Sequence, residues 1–207
     1  MSVTLHYYGA YGRGEAIRMI LHGQGVEFTD NRYTPEEVQA FLDRKIADFG
    51  QVPCLEIDGH SLVEARAIER YLLTRGGTTT TTALDGYTND SLISFLNDIR
   101  NIFVKFIYIE QNLEALGKWM QEDLPYYLAI LNKKVKENNL FVNDQPQHAD
   151  WAIFEFVYDI FLRGKNVEKT RPLVDAHAPK LVAFAEHFKS SNAALAAYLA
   201  SRPECDN

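Results

Sequence analysis

Through Arg75 the chain alternates short apolar runs of extended character with stretches in which apolar residues recur every three or four positions. Val3 to Tyr7 (VTLHY) is rich in strand-forming residues, Glu15 to Leu21 (EAIRMIL) has helical spacing, and Glu27 to Arg32 returns to an extended pattern. The acidic start at Pro35-Glu36-Glu37 suits the positive end of a helix dipole, so a second helix is predicted from there to Ile46. Cys54 to Ile57 and Ser61 to Val63 flank Asp58-Gly59, a pair that accepts positive φ at both positions, and together they predict a tight hairpin. A helix from Ala65 to about Arg75 completes the order β-α-β-α-β-β-α, which implies a small mixed sheet covered by helices.

Gly76-Gly77 and the five threonines Thr78 to Thr82 interrupt this pattern with polar residues of little core-forming surface, and read as a linker. Beyond Ala83 the periodicity is helical throughout. Leu92, Phe95, Leu96, Ile99, Phe103 and Phe106 mark one buried helix face. Leu124 to Val135, with Pro125 in its first turn, continues the theme, as do Ala149 to Leu162, Pro179 to Phe188 and Ala193 to Ala200. The expected organisation is an α/β domain over residues 1–76, a linker over 77–84 and an all-α domain over 85–207.

Composition narrows the classes of partner. The 28 acidic and 21 basic residues leave a net charge of −7, whose averaged field repels phosphate backbones and anionic lipid heads, so neither nucleic acid nor a membrane surface is an expected partner. No apolar run approaches the roughly 20 residues of a membrane helix, and the opening MSVTLHYYGAYGRGE has neither a basic nor a hydrophobic leader region, so a cytoplasmic protein is expected. Cys54 and Cys205 alone provide no disulfide framework and no multi-thiol metal site.

Three segments carry candidate chemistry. In Leu5-His6-Tyr7-Tyr8-Gly9-Ala10-Tyr11-Gly12-Arg13-Gly14-Glu15 a strand end runs through a glycine-rich turn into a helix start. Such a junction concentrates unpaired N–H groups and positive dipole. A tyrosine at the strand end can donate to a thiolate there, lowering the thiol pKa because a hydrogen bond to the charged form favours it. The pattern alone leaves Tyr7 either such a donor or a core aromatic. Tyr8 is its rival, since strand alternation sends the pair to opposite faces, and Tyr11 lies in the turn itself. In Gln51-Val52-Pro53 the proline is either a simple strand start or the site of a cis bond, which would turn the Val52 N–H and C=O toward a peptide-like ligand. In Glu64-Ala65-Arg66 a second strand end meets a helix N-terminus; Glu64 there is either an acceptor for a ligand ammonium or helix-start electrostatics.

These motifs, in this order, resemble the cytosolic glutathione transferases over essentially the whole chain: the strand-Tyr-turn-GRGE-helix opening, the QVPCLEIDG hairpin, the EARAIERYL helix start, the linker and the helical second half. Tyr7-Tyr8, Gly12-Arg13 and the final Arg202-Pro203 look most like the sigma class and its tyrosine-type relatives. The resemblance implies a thioredoxin-like N-terminal domain that binds glutathione, a helical domain that completes the pocket for a hydrophobic electrophile, and a homodimer. It implies no metal and no cofactor beyond glutathione as co-substrate. Residue by residue, Tyr7 matches the catalytic tyrosine, Arg13 a polar neighbour of the glutathione, and Arg44 the basic partner of its glycyl carboxylate. Gln51, Val52 and Pro53 match the segment that holds the cysteinyl backbone, and Glu64 and Ala65 the positions that receive the γ-glutamyl end. Asp98 matches a carboxylate offered to the glutathione of the neighbouring subunit, and Asp150 the acid of a helix-capping motif.

The sequence departs from the family pattern at three positions. Ala65 stands where a serine hydroxyl usually binds the γ-glutamyl carboxylate, Ala40 where a tryptophan lies near the glycyl end, and Gln147 where the capping motif has Ser or Thr. A hydrogen bond to a charged group is worth about 1.5–3 kcal/mol, so the missing hydroxyl bears on glutathione affinity. Ala65 also motivates an alternative, a non-catalytic protein that kept the fold. A prostaglandin isomerase is a further alternative among sigma-type relatives, although Arg100 and Lys105 follow Asp98 where an apolar substrate favours aromatics. Conjugation by a Tyr7-stabilised thiolate is the preferred reading.

Overall fold

In the computed structural model, which describes residues 2–80 and 82–205, the first segment forms β1 (Thr4–Tyr8), α1 (Gly12–Gly23), β2 (Thr29–Tyr33), α2 (Pro35–Leu42), β3 (Cys54–Ile57), β4 (His60–Val63) and α3 (Ala65–Arg75). Thr81 of the threonine run lies outside the described residues, as do the end residues Met1, Asp206 and Asn207 of the two expected domains. The strands lie in the order β2-β1-β3-β4. β1 runs parallel to β2, with Tyr7 opposite Arg32, and antiparallel to β3, with His6 opposite Cys54; β3 pairs antiparallel with β4, with Cys54 opposite Val63. This is the small mixed sheet expected of the alternating pattern, in the thioredoxin-like arrangement that the resemblance implies. Asp58 and Gly59 take φ of 52° and 79°, as the hairpin turn requires.

β1 is central and covered on both faces. Leu5 and Tyr7 are buried on one side, while His6 is buried on the other against α2, its ring stacked 4.3 Å from that of Phe41. α2 begins with a reciprocal cap in which the Thr34 hydroxyl accepts from the Glu37 N–H and the Glu37 carboxylate from the Thr34 N–H. It ends at Leu42, short of the expected Ile46, because the chain turns at Lys45, whose φ is 55°. Arg44 therefore sits in a turn and not on the helix.

Contacts divide the chain into two units, one formed by the residues up to Thr78 together with those from Asn192 onward, the other by Thr79–Ser191. The second unit holds α4 (Ala83–Val104), α5 (Leu113–Glu122), α6 (Leu124–Lys134), α7 (His148–Val157), α8 (Val167–His177) and α9 (Pro179–Ser190), with π-helical segments Lys105–Ile109 and Tyr158–Leu162 extending α4 and α7. α7 is buried at every position, and its Asp150 carboxylate accepts from the Gln147 and Phe141 N–H groups, each at 2.8 Å. The Thr82 hydroxyl caps α4 at the Asp85 N–H, so the helix takes the last two positions of the expected linker. Among the described residues no helix is long and apolar enough to cross a membrane.

α10 (Ala193–Ser201) groups with the first unit, although the sequence sets it in the helical stretch 85–207. It packs on α1, buries Leu195, Tyr198 and Leu199, and carries the ion pairs described below. α1 is thus enclosed by the sheet, α3 and α10, which is why every residue from Gly14 to Leu21 is buried, Glu15 and Arg18 included.

Candidate active site

The sheet register gathers the three sequence-predicted segments at one edge. Cys54 pairs with both His6 and Val63, so Tyr7 on β1, Pro53 ahead of β3 and Glu64 beyond β4 follow one another across the same end of the sheet. The N-termini of α1 and α3 begin at that end, at Gly12 and Ala65. Two helix N-termini side by side make a cradle for anionic groups.

Tyr7 is seated in this cradle. Its ring is buried, and its hydroxyl oxygen accepts the Arg13 N–H at 3.0 Å, one of the α1 amides without an intrahelical acceptor. A hydroxyl whose oxygen accepts from a helix N-terminus is polarised into a better donor of its own proton. The seat depends on glycine. A Cβ on Gly12, whose φ is 43°, would lie 2.7 Å from the Tyr7 hydroxyl oxygen, and one on Gly14 2.5 Å from the ring carbon Cδ1. Tyr8 points the other way and is 37% exposed, as alternation requires of one member of the pair.

Around Tyr7 the remaining first-unit candidates are mostly exposed at this edge. Arg13 and Gln51 are exposed, Val52 is half-buried, Pro53 is buried, and the Val52–Pro53 bond is cis. Glu64, exposed, precedes α3 with φ 69° and ψ 105°, a region sparsely populated by side chains, and Ala65 behind it is buried. Arg44 is exposed in the turn after α2, its guanidinium carbon 5.8 Å from the Phe41 ring centroid. Asp98 is an exposed residue of α4 and belongs to the second unit.

The opposite face of β1 holds a polar cluster that sequence reasoning did not find. His6 Nδ1 lies 2.9 Å from the Tyr33 hydroxyl and Nε2 2.7 Å from Glu56 Oε1. Burial lowers the His6 pKa against the pull of Glu56, with Arg44 adding to the lowering. Beside it, burial pushes the Cys54 thiol up to about 11, so Cys54 stays protonated and enclosed at neutral pH and is no nucleophile.

Behind the Tyr7 turn is a second unanticipated group. Arg18 donates through Nη1 to the Ala10 carbonyl at 2.7 Å, through Nη2 to the Tyr8 carbonyl at 3.2 Å, and through Nε to Asp30; its guanidinium lies 5.7 Å from the Tyr7 ring centroid. Single-sequence reasoning places charged residues at the surface, so neither Arg18 nor Glu15 stands out from EAIR alone.

Residues 3–74 match the model of the glutathione S-transferase N-terminal domain, and residues 97–202 that of the glutathione S-transferase C-terminal domain. Glutathione S-transferase 2 of Manduca sexta is 30% identical over 98% of this chain and 97% of its own, and a Plasmodium falciparum glutathione S-transferase is 29% identical over 85% and 88%. Among solved structures, the glutathione S-transferase of Ascaris lumbricoides superposes with a TM-score of 0.79 at 25% identity over 99% of both chains. The prostaglandin synthase D of Nilaparvata lugens, at 23% identity, shares the fold with a TM-score of 0.84 over 99% of this chain and all of its own. With both domain models matched in order and the sheet edge built as described, the chain belongs to the glutathione S-transferase family of enzymes.

Proposed function

We propose that the enzyme joins the glutathione thiolate to small hydrophobic electrophiles, with the Tyr7 hydroxyl donating to the sulfur. The observation that carries this reading is the seating of the Tyr7 hydroxyl on the Arg13 N–H at the start of α1. The thiolate is the nucleophile, and a donor already oriented beside positive helix ends stabilises it without reorganisation. Arg44 meets the glycyl carboxylate, Gln51, Val52 and Pro53 hold the cysteinyl backbone, and Arg13 lies near the tripeptide. Glu64 accepts from the γ-glutamyl ammonium, and the Ala65 N–H at the start of α3 receives the γ-glutamyl carboxylate in place of a hydroxyl. The chemistry uses glutathione as co-substrate, with no metal and no further cofactor, and takes place in the cytoplasm.

Conjugation of a chloronitrobenzene to glutathione tests the role of Tyr7. Loss of one hydrogen bond to a charged group is worth about 1.5–3 kcal/mol, so Tyr7→Phe is expected to lower kcat/KM roughly 10- to 100-fold. Equal rates in the two proteins would remove Tyr7 from the mechanism. The active species is proposed to be a homodimer in which Asp98 addresses the glutathione bound to the other subunit. Sedimentation at micromolar concentration should give twice the mass of the chain, and a single-chain mass with full activity would refute the assignment of Asp98.

A further inference from the structure

Four charged side chains, Glu15, Arg18, Asp30 and Arg32, close a ring with Tyr198 beneath the turn that joins β1 to α1, and Arg202 joins it at Glu15. Arg202 Nη1 donates to Glu15 Oε1 at 2.5 Å; Arg18 pairs with Glu15 Oε2 at 3.2 Å and with Asp30 at 3.0 Å; Arg32 pairs with the same Asp30 at 2.7 Å. Arg32 Nη2 lies 3.4 Å from the Tyr198 hydroxyl, which donates to Glu15 Oε1 at 2.8 Å and so returns to the start. The side chains of Glu15, Arg18 and Arg202 are fully enclosed. Burial beside Glu15 holds the Tyr198 hydroxyl far above its usual pKa, so it remains a donor.

Buried ion pairs pay a desolvation penalty close to their Coulomb gain, so this ring contributes little net stability that apolar residues would not match. What it supplies is a fixed geometry. Arg18 of the ring and the attached Arg202 reach out to the turn. Arg18 holds the Tyr8 and Ala10 carbonyls, and Arg202 lies 4.0 Å over the Tyr11 ring while the Tyr11 hydroxyl donates to the Pro203 carbonyl at 2.8 Å. Tyr8, Ala10 and Tyr11 are three of the five residues that carry the backbone from Tyr7 to the Arg13 N–H.

We propose that Arg202, backed by Pro203, is a positioning residue: the segment after α10 is a clasp that fixes the β1–α1 turn and thereby the contact between the Tyr7 hydroxyl and the Arg13 N–H. The catalytic consequence rests on the reading given under Proposed function; the clasp itself does not. Arg202 acts through Glu15 and Arg18 on one side and through Tyr11 on the other.

The test compares Arg202→Met, which keeps the apolar stem and removes the cation, with Leu195→Ala, which loosens α10 in its buried core without touching the clasp. Amide hydrogen exchange reads the turn directly. In Arg202→Met the Arg13 and Gly14 amides are expected to exchange at least about tenfold faster than in Leu195→Ala, with the amides of α3 alike in both. The pH profile of kcat/KM for glutathione conjugation reads the chemistry, and its acid limb is expected to move upward in Arg202→Met only, because a displaced hydroxyl stabilises the thiolate less. Arg202→Lys keeps the charge but loses the fork and the planar stack, and should recover part of both effects. Turn amides that exchange alike in Arg202→Met and Leu195→Ala overturn the clasp. Faster exchange with an unmoved acid limb confines Arg202 to a structural role and overturns the positioning role. Should Arg202→Met fail to fold, Tyr11→Phe removes the bond to Pro203 alone and must shift both readouts in the same direction by less. A wild type that does not conjugate glutathione refutes the functional reading, while exchange still decides the clasp.

Discussion

At the scale of single residues, the site is a problem of close approach. The Tyr7 ring can rest on the first turn of α1 only because Gly12 and Gly14 present no side chain to it. Gly14→Ala places a methyl 2.5 Å from Cδ1 and 2.7 Å from Cγ, and Cγ cannot retreat far because it is tied through Cβ to the β1 backbone. Ring and helix must then part. A misplacement on the order of 1 Å at a reacting group costs roughly a hundredfold, so kcat/KM of Gly14→Ala is expected to fall by about that factor. Gly25→Ala is the control: φ there is 67° but no atom lies within 4 Å, so the strain lowers the melting temperature and leaves kcat/KM of the folded enzyme unchanged. Equal activity losses in the two variants would mean that strain in general, and not the seat of Tyr7, is being measured. Much of this site is legible in the sequence, because strand ends, glycine turns and helix starts leave local signatures at Tyr7, Pro53 and Glu64. What escapes is Glu15, Arg18 and Arg202, whose burial depends on partners up to 187 positions apart. Nothing local marks a charge as internal.

At the scale of elements, α2 shows how a helix that ends beside the site is held in place. Its Phe41 lies between the imidazole of His6, stacked at 4.3 Å, and the guanidinium of Arg44, so Arg44 is placed through packing on β1. Burial lowers the His6 pKa, and the groups facing it are Glu56 on β3, Tyr33 and Asn31 on β2, and Arg44 after α2. With the folded pKa below the unfolded value of 6.5, the unfolded chain binds more protons between the two, so stability rises with pH through that window and falls on acidification. His22, also lowered by burial, contributes with the same sign. Between pH 7.5 and pH 5.5 the histidines therefore lower the urea midpoint, against the opposite pull of Asp150, whose carboxyl burial raises to about 6. His6→Gln should be less stable at neutral pH and lose less midpoint than the wild type over that interval; an equal loss in the two proteins would discharge His6 from the effect. Helices differ in legibility for related reasons. α8 buries only Thr170 and Val174 around an internal Pro172, so it lacks the apolar stripe by which α4, α6 and α9 are read.

At the scale of the whole molecule, the first unit is made from two pieces of chain that are distant in sequence. The pattern of strands and helices through Arg75 looks self-sufficient, and the linker that follows invites a cut at Thr78. Yet α1 is not closed by its own neighbours. Leu195, Tyr198 and Leu199 of α10 bury their side chains in the first unit, and Glu15 receives two of its partners from Tyr198 and Arg202. Each large apolar side chain that loses its cover forfeits about 1.5–3 kcal/mol. Removing the partners of a buried charge costs about 3–5 kcal/mol more. Together these losses are comparable with the 5–15 kcal/mol that holds an ordinary domain folded. A fragment ending at Thr78 is therefore expected to lack a cooperative thermal transition and the near-ultraviolet circular dichroism of packed aromatics. Addition of a peptide spanning 192–205 should restore both in a concentration-dependent way, since a partner that binds only the folded state stabilises it by mass action. A cooperative melt of the fragment without the peptide would show that α10 is an ornament on a domain complete without it.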